Sequence, residues 1–556
     1  MCLRLRVESS HPWQVSLAVA LAAPALPRHR PWTPPTAPTS NFQTDRTPRV
    51  AASPLPLPPQ DDGGPAVSKS LKELQPSALW RHFDALVRIP RASKQEDAVC
   101  DHVRQWAKDK GFDSRTDEAG SVVVSVPATK GHEQAAILVI QGHLDIVCEK
   151  HSDVEFDFDT QPIDAFVDGD WVRARGTTLG ADNGIGVAAA MAAADDESVV
   201  HGPLELLLTI DEETGMTGAK GLKPDFITGR RMLNLDSEED GALFVGCSGG
   251  ANCRVQLPIT RCPAPGGATC FDLQVAGLKG GHSGLDIHQN RGNALKLLVM
   301  ALQAISRAVA GGALALDALS AGDKPNAIPR EATATLWLDQ AELPKAQEAL
   351  GGLLEAARQH YGPVAPELSI ALTQSAAPAT GETLDRSSFD RVINLVLAIP
   401  DGVCAMSRAL PGLVETSSNL ATARTTDDKV SFVTSSRSSV NAALDQVREQ
   451  ILACVTLAGG ETDLQPGYPG WQPNMSSPLL GAAREVFAEV FGTDAKITAI
   501  HAGLECGLIG ERIADMDMLS FGPEIENAHS PDERVNIPST ARFWTLLKAL
   551  LERLAA

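Results

Sequence analysis

Five short stretches hold the residues that could do chemistry. They are His143 and Asp145 in Gln141-Gly142-His143-Leu144-Asp145, Asp182 in Gly180-Ala181-Asp182-Asn183-Gly184, and Glu212 and Glu213 in Asp211-Glu212-Glu213-Thr214-Gly215. Asp236 follows in Asn234-Leu235-Asp236-Ser237, and His529 far downstream in Asn527-Ala528-His529-Ser530-Pro531-Asp532. Imidazole mixed with carboxylate favours Zn, Mn or Co over Mg or Ca, and the lack of thiolates among them argues against a structural zinc site. Five ligands with one bridging carboxylate suit two metals about 3.5–4 Å apart, a centre for metal-assisted hydrolysis. Each residue alone has an ordinary reading: an aspartate before a helix is usually a cap, and a paired acid is usually a solvated turn. The set is more specific than any member.

Spacing refines the roles. Side chains two apart on a strand share a face, so His143 and Asp145 point the same way. An aspartate there can accept the remaining N–H of a ligating imidazole and fix its tautomer. Glu212 and Glu213 are adjacent and diverge at a strand end, so one can hold metal while the other faces the attacking water. Asp182 precedes two glycines and an Ala-rich helix, at a helix start that favours a carboxylate.

The elements that must position these groups are legible as apolar runs. Residues 122–124, 135–140, 204–210, 232–235 and 516–521 read as buried strands, alternating with helical stretches such as 186–194. That order predicts an α/β fold with a mixed, mostly parallel sheet flanked by helices, and ligands then collect at the carboxyl ends of its strands. Leu71, Leu74, Leu79, Trp80, Phe83 and Leu86 recur at helical spacing and mark the start of the folded body. From 252 the pattern changes to strands with long helices at 293–309, 343–361 and 440–457 and supplies no ligand-like carboxylate pair. The expected organisation is a Pro-rich disordered extension over 1–66, a catalytic domain in two parts, 67–251 and 464–556, and an inserted α+β domain over 252–463.

At 556 residues the chain exceeds what one core usually serves. Its formal charge of -21 opposes nucleic acid and anionic membrane as partners, and no run approaches the 18 or more apolar residues of a spanning helix. Ten cysteines are scattered singly, without a Cys-x-x-Cys pair, which favours a reducing compartment. The expected location is cytoplasmic, with export as the alternative if residues 1–27, where Arg4 and Arg6 precede an apolar stretch, act as a signal peptide.

These motifs, together with Met216-Thr217-Gly218-Ala219, Gly280-Gly281-His282-Ser283-Gly284, Val414-Glu415-Thr416-Ser417-Ser418-Asn419, His501-Ala502-Gly503-Leu504-Glu505-Cys506-Gly507 and His529-Ser530-Pro531-Asp532-Glu533-Arg534, resemble the aminoacyl-histidine dipeptidases. These cytosolic nonspecific dipeptidases belong to the dinuclear zinc exopeptidase superfamily of carnosinases, aminoacylases and tripeptidases. The resemblance implies that His143 and Asp236 bind one metal, Glu213 and His529 the other, and Asp182 bridges them. It implies Glu212 as general base, Asp145 as the aspartate behind His143, and His282 as a group approaching the scissile carbonyl oxygen. Asn326, Arg437 and Glu505 are the expected substrate-binding residues, and 252–463 the expected lid and homodimerisation domain. Leu285 departs from the pattern, standing where glycine is expected. The implied activity is hydrolysis of unblocked dipeptides, Xaa-His included, with two zinc ions (manganese or cobalt as alternatives). An N-acyl-amino-acid deacylase of the same superfamily is the alternative.

Overall fold

Residues 70–376 and 381–556 are described by the computed structural model. The Pro-rich stretch 1–66, with the candidate signal sequence, lies outside them. The five predicted runs fall in one eight-stranded sheet, to which Asp113–Thr116, Ala242–Cys247 and Lys496–Ile500 add strands that were not predicted. Leu138–His143 lies between Leu204–Thr209 and Arg231–Asn234, parallel to both, and Asp517–Ser520 extends the parallel set. Val122–Val126 and Asp113–Thr116 add an antiparallel edge. On the other side Ala242–Cys247 runs against Asp517–Ser520 and parallel to Lys496–Ile500. The fold is therefore mixed α/β with a parallel centre.

Both faces of that sheet are covered, which explains why its central strands read as unbroken apolar runs. Ile140, Leu206 and Leu233 pack with Trp80, Phe83 and Leu547 on one face. Their neighbours Val139, Leu207 and Met232 pack with Leu508 and Ile509 on the other. The helix expected over 186–194 spans Ala181–Asp195 and is buried through most of its length. Its small side chains let it press onto the sheet: a Cβ on Gly186 would run into the Leu235 carbonyl. Non-helical backbone at Asp182 and Asn183 distorts the first turn.

A second, nine-stranded sheet is built between Gly249 and Leu464. Its strands pair antiparallel, from Ser369–Gln374 at one edge to Glu461–Leu464 at the other. Ala332–Leu338 alternates buried with more exposed positions, as expected when helices cover one face only. Ala294–Ala308, Leu343–Tyr361, Arg386–Ala398 and Asn441–Leu457 supply the cover and share one core with that face. Asn293, expected inside its helix, is instead the cap, its side chain accepting from the N–H groups of Leu295 and Lys296.

Ser248 alone separates the Ala242–Cys247 strand of the first sheet from the Gly249–Pro258 strand of the second. The returning chain crosses at the same place, where Trp471 bridges to Cys247 and Tyr468 to Gly250. Two small sheets carry loops toward the centre. Ile525–Glu526 and Arg534–Asn536 flank the His529 loop within a four-stranded sheet, and Gly281–His282 pairs with Ala327–Ile328.

Candidate metal centre

His143 ends the central strand and is 1% exposed. Its Nδ1 lies 3.2 Å from the Asp145 backbone oxygen and 3.5 Å from the Asp145 carboxylate. Held as a donor there, the ring presents Nε2 to Asp182 Oδ1 at 3.1 Å and Asp236 Oδ1 at 3.2 Å. A second set meets the other oxygen of the same aspartate: His529 Nε2 lies 3.0 Å from Asp182 Oδ2 and 3.0 Å from Glu213 Oε2. Two ligand triads therefore share Asp182, one through each carboxylate oxygen.

These residues fit a pair of cations. Glu213 Oε1 is buried without a hydrogen-bond partner among the described residues, and Asp236 Oδ1 has only His143 Nε2 nearby, at 3.2 Å, an arrangement that costs free energy unless something positive completes it. Hydrogen bonds to Asp182 and Glu213 push His529 up to about 11, so a proton stands where the carboxylates call for positive charge. Burial pushes Glu212 well above the ordinary carboxylate range, with Asp236, Glu213 and Glu505 adding to it.

The supporting groups explain why the loops hold this shape. Asp145 is fully buried, yet the hydrogen bond and charge of His143, the Glu212 amide and Ser93 pull its carboxyl down to about 2. Its Oδ1 accepts the Glu212 N–H at 3.0 Å, and its Oδ2 the Glu213 N–H at 3.1 Å and the Ser93 hydroxyl at 2.8 Å. One aspartate thus orients the imidazole and anchors the paired glutamates. Asp211, at φ +51°, takes the hydroxyls of Thr214 and Thr217 and closes the turn beyond them.

Sequence reasoning missed two groups. Asp182 was expected near a cap, but the capping carboxylate is Glu533, which accepts the N–H groups of Leu179, Gly180, Ala181 and Asp182 at 2.7–3.2 Å. Asp182 is thereby left free to face both histidines. Beside it the buried Arg91 donates to the carbonyls of Leu144 at 2.8 Å, Asp145 at 3.3 Å and Gly180 at 2.7 Å, tying the His143 strand end to the Asp182 loop. Glu533 stood inside a quoted motif, but nothing in its neighbourhood said that its partners were amides some 350 residues away.

A cavity of about 1080 Å³ opens over the centre between the two sheets. His143, Asp182, Glu212 and Asp236 line it from the edge of the first sheet, His529 from the loop of the four-stranded sheet, and His282 and Asn326 from the small two-stranded one. His282 Nδ1 accepts the N–H groups of Gly284 at 3.3 Å and Leu285 at 3.1 Å. Burial and the Arg437 charge push it down to about 4, so the ring is neutral at pH 7 and carries its proton on Nε2. Leu285 itself is half exposed on the cavity wall. Arg437 is 9% exposed; it donates to the Tyr468 hydroxyl at 3.1 Å and leaves Nε without a hydrogen-bond partner among the described residues.

Glu505 corrects an expectation. It was expected to bind substrate, but it begins the helix Glu505–Arg512, is fully buried and does not line the cavity. Its Oε2 accepts from Gln141 Nε2 at 2.6 Å and the Thr209 hydroxyl at 2.5 Å, beneath the strands that deliver His143 and Glu212. His501, four residues earlier, does line the cavity, held between the hydroxyls of Ser248 and Ser417 at 2.7 Å each. The motif was legible, but which of its residues faced the cavity depended on how the helix packs.

Comparison with known proteins finds relatives that span most of the chain. The chain is 40% identical over 490 residues to the cytosol non-specific dipeptidase of Escherichia coli (strain K12), covering 87% of this chain and 99% of that protein. It superposes on the crystal structure of aminoacylhistidine dipeptidase from Vibrio alginolyticus with a TM-score of 0.81 at 39% identity, over 87% of this chain and 98% of that one. Aminopeptidase PepT from Bacillus cereus shares the fold at 16% identity and a TM-score of 0.54, over 87% of this chain and 100% of that one. With the model of peptidase family M20/M25/M40 matching residues 139–553, the chain belongs to that family.

Proposed function

We propose that the protein is a metal-dependent dipeptidase hydrolysing unblocked dipeptides, Xaa-His dipeptides among them. The observation that carries the reading is the pair of ligand triads sharing Asp182 beneath one cavity. His143 and Asp236 would hold one divalent ion, Glu213 and His529 the other, with Asp182 between them. Nitrogen and carboxylate donors suit zinc, with manganese or cobalt as alternatives. Bound there, two divalent ions supply Lewis-acid polarisation of the peptide carbonyl and ease deprotonation of water.

The chain's own residues do the rest. Glu212 takes the proton of the attacking water and returns it to the leaving amine; its raised affinity for protons suits both transfers. Asp145 holds the Glu212 amide and so fixes where that base stands. His282 Nε2–H is a neutral donor for the oxyanion developing on the carbonyl. Asn326 on the cavity lining and Arg437, which packs behind the His282 loop beside Gly284, are assigned to the substrate's C-terminal carboxylate. Residues 252–463 act as the lid and as the contact of a homodimer, and the site of action is the cytoplasm, as the name of the Escherichia coli relative suggests.

The test is hydrolysis of Ala-His, Gly-Leu, a tripeptide and an N-acetyl amino acid by metal-reconstituted protein, each with an EDTA control. Chelator-sensitive cleavage of the two dipeptides is expected. Cleavage of the acetylated substrate alone would overturn the reading in favour of a deacylase.

A further inference from the structure

Three glutamates line the cavity that also holds Asp182 and His529, and two of them are engaged. Glu239 pairs with Lys496 at 2.5 Å, and Glu524 accepts the Asp240 N–H at 3.0 Å. Glu238 has no side-chain hydrogen-bond or ion-pair partner among the described residues. Its backbone is pinned, because its carbonyl accepts the Ile525 N–H at 3.1 Å. A fixed main chain thus places the Glu238 side chain at the cavity, two residues beyond Asp236.

We propose that Glu238 receives the free α-ammonium group of the substrate and sets the requirement for an unblocked N-terminus; this rests on the dipeptidase reading. In a dipeptide the ammonium is attached to the carbon next to the scissile carbonyl, so placing that carbonyl at the centre fixes the ammonium beside it. Two divalent ions there would be matched by the four carboxylates of Asp182, Glu213, Asp236 and Glu212, so the centre itself would offer the ammonium no counter-charge. An unengaged carboxylate beside the centre supplies that counter-charge and offsets the cost of removing the ammonium from water. An N-acyl group brings a carbonyl oxygen to the same place and leaves Glu238 unpaired, which selects against it.

The experiment compares Ala-His with propionyl-histidine, which lacks only the amine, on wild-type protein, Glu238→Gln and Glu238→Asp, all metal-reconstituted. Calorimetric titration with a phosphinic Ala-Gly isostere and its N-acetyl form reads binding apart from turnover. Wild-type protein is expected to prefer the free amine in both readouts. In Glu238→Gln the preference for Ala-His over propionyl-histidine falls by roughly 10–100-fold, mainly through KM, and Glu238→Asp recovers part of it. An unchanged preference in Glu238→Gln overturns the assignment and leaves the dipeptidase standing. So does a wild-type protein that cleaves both substrates equally. A wild-type protein that cleaves neither dipeptide nor analogue removes the dipeptidase reading, and the assignment with it.

Discussion

At the scale of residues, the two adjacent glutamates stand in different surroundings, which suits the two tasks proposed for them. Glu213 meets His529 and Asp182, whereas Glu212 lines the cavity without belonging to the triads that share Asp182. Glu212→Gln should therefore retain metal, measured by elemental analysis, while kcat falls by roughly 10²–10⁴; near-normal turnover would remove it as the base. His501 supports a prediction about stability. Burial, and then the Arg437 charge, push its imidazole down to about 3, against about 6.5 in an unfolded chain. Below pH 6.5 the unfolded state binds this proton and the folded state does not. The contribution is thus complete above pH 6.5 and is lost as pH falls toward 3, at up to about 1.4 kcal/mol per unit. Glu212, unlike the buried His501, was legible because it stands inside a distinctive acidic run. In His501→Gln, urea unfolding from pH 7 to 5 should show a shallower loss of stability than wild type.

At the scale of elements, parallel strands bring their carboxyl ends to one edge, and the connecting loops must then be held without regular structure. Asp145, Glu533 and Arg91 do this by saturating backbone groups: amides of the Glu212 turn, amides of the Asp182 loop and carbonyls of both. Glu533→Gln replaces an anion that serves four amides with one acceptor and one donor, and removes the countercharge near Arg91. The expected loss is roughly 3–5 kcal/mol, read from the urea midpoint at unchanged slope, with weaker metal binding in a fluorescent-chelator competition. A midpoint equal to wild type would show that the loop needs no anion.

At the scale of the whole molecule, the cavity exists because two sheets with separate cores are joined by two crossing segments. The crossing is tight: a Cβ on Gly249 would lie 2.5 Å from both the Gly470 nitrogen and the Tyr468 oxygen. Gly249→Ala should cost roughly 1–3 kcal/mol and lower kcat/KM by moving His282 relative to Glu212. An unchanged KM and midpoint would mean the crossing tolerates the methyl. Metal removal acts on the molecule as well as on the reaction. The ion-free protein keeps Asp182, Glu213 and Asp236 close together, so metal at 1,000 times its Kd should stabilise the fold by about 4 kcal/mol. A calorimetric Tm that rises on metal addition checks this, and one that does not move would sink the assignment of these residues as ligands.

What the sequence determined by itself was whatever local order encodes. Apolar runs of strand length, each ending in histidine or acid, were enough to predict a parallel α/β sheet with His143, Glu213 and Asp236 at one edge. Helices such as Leu343–Tyr361 were visible in their spacing for the same reason. Tertiary structure decided what depends on partners distant in sequence or on backbone atoms that carry no residue identity. Glu533 reads as one more acid until its four amides are brought to it, and Arg91 as a surface cation until three carbonyls surround it. Glu505, expected to meet substrate, turned inward because a helix packs beneath the strands and gives its carboxylate Gln141 and Thr209. Burial chose among these chemically equivalent side chains, and burial is a property of the packed chain.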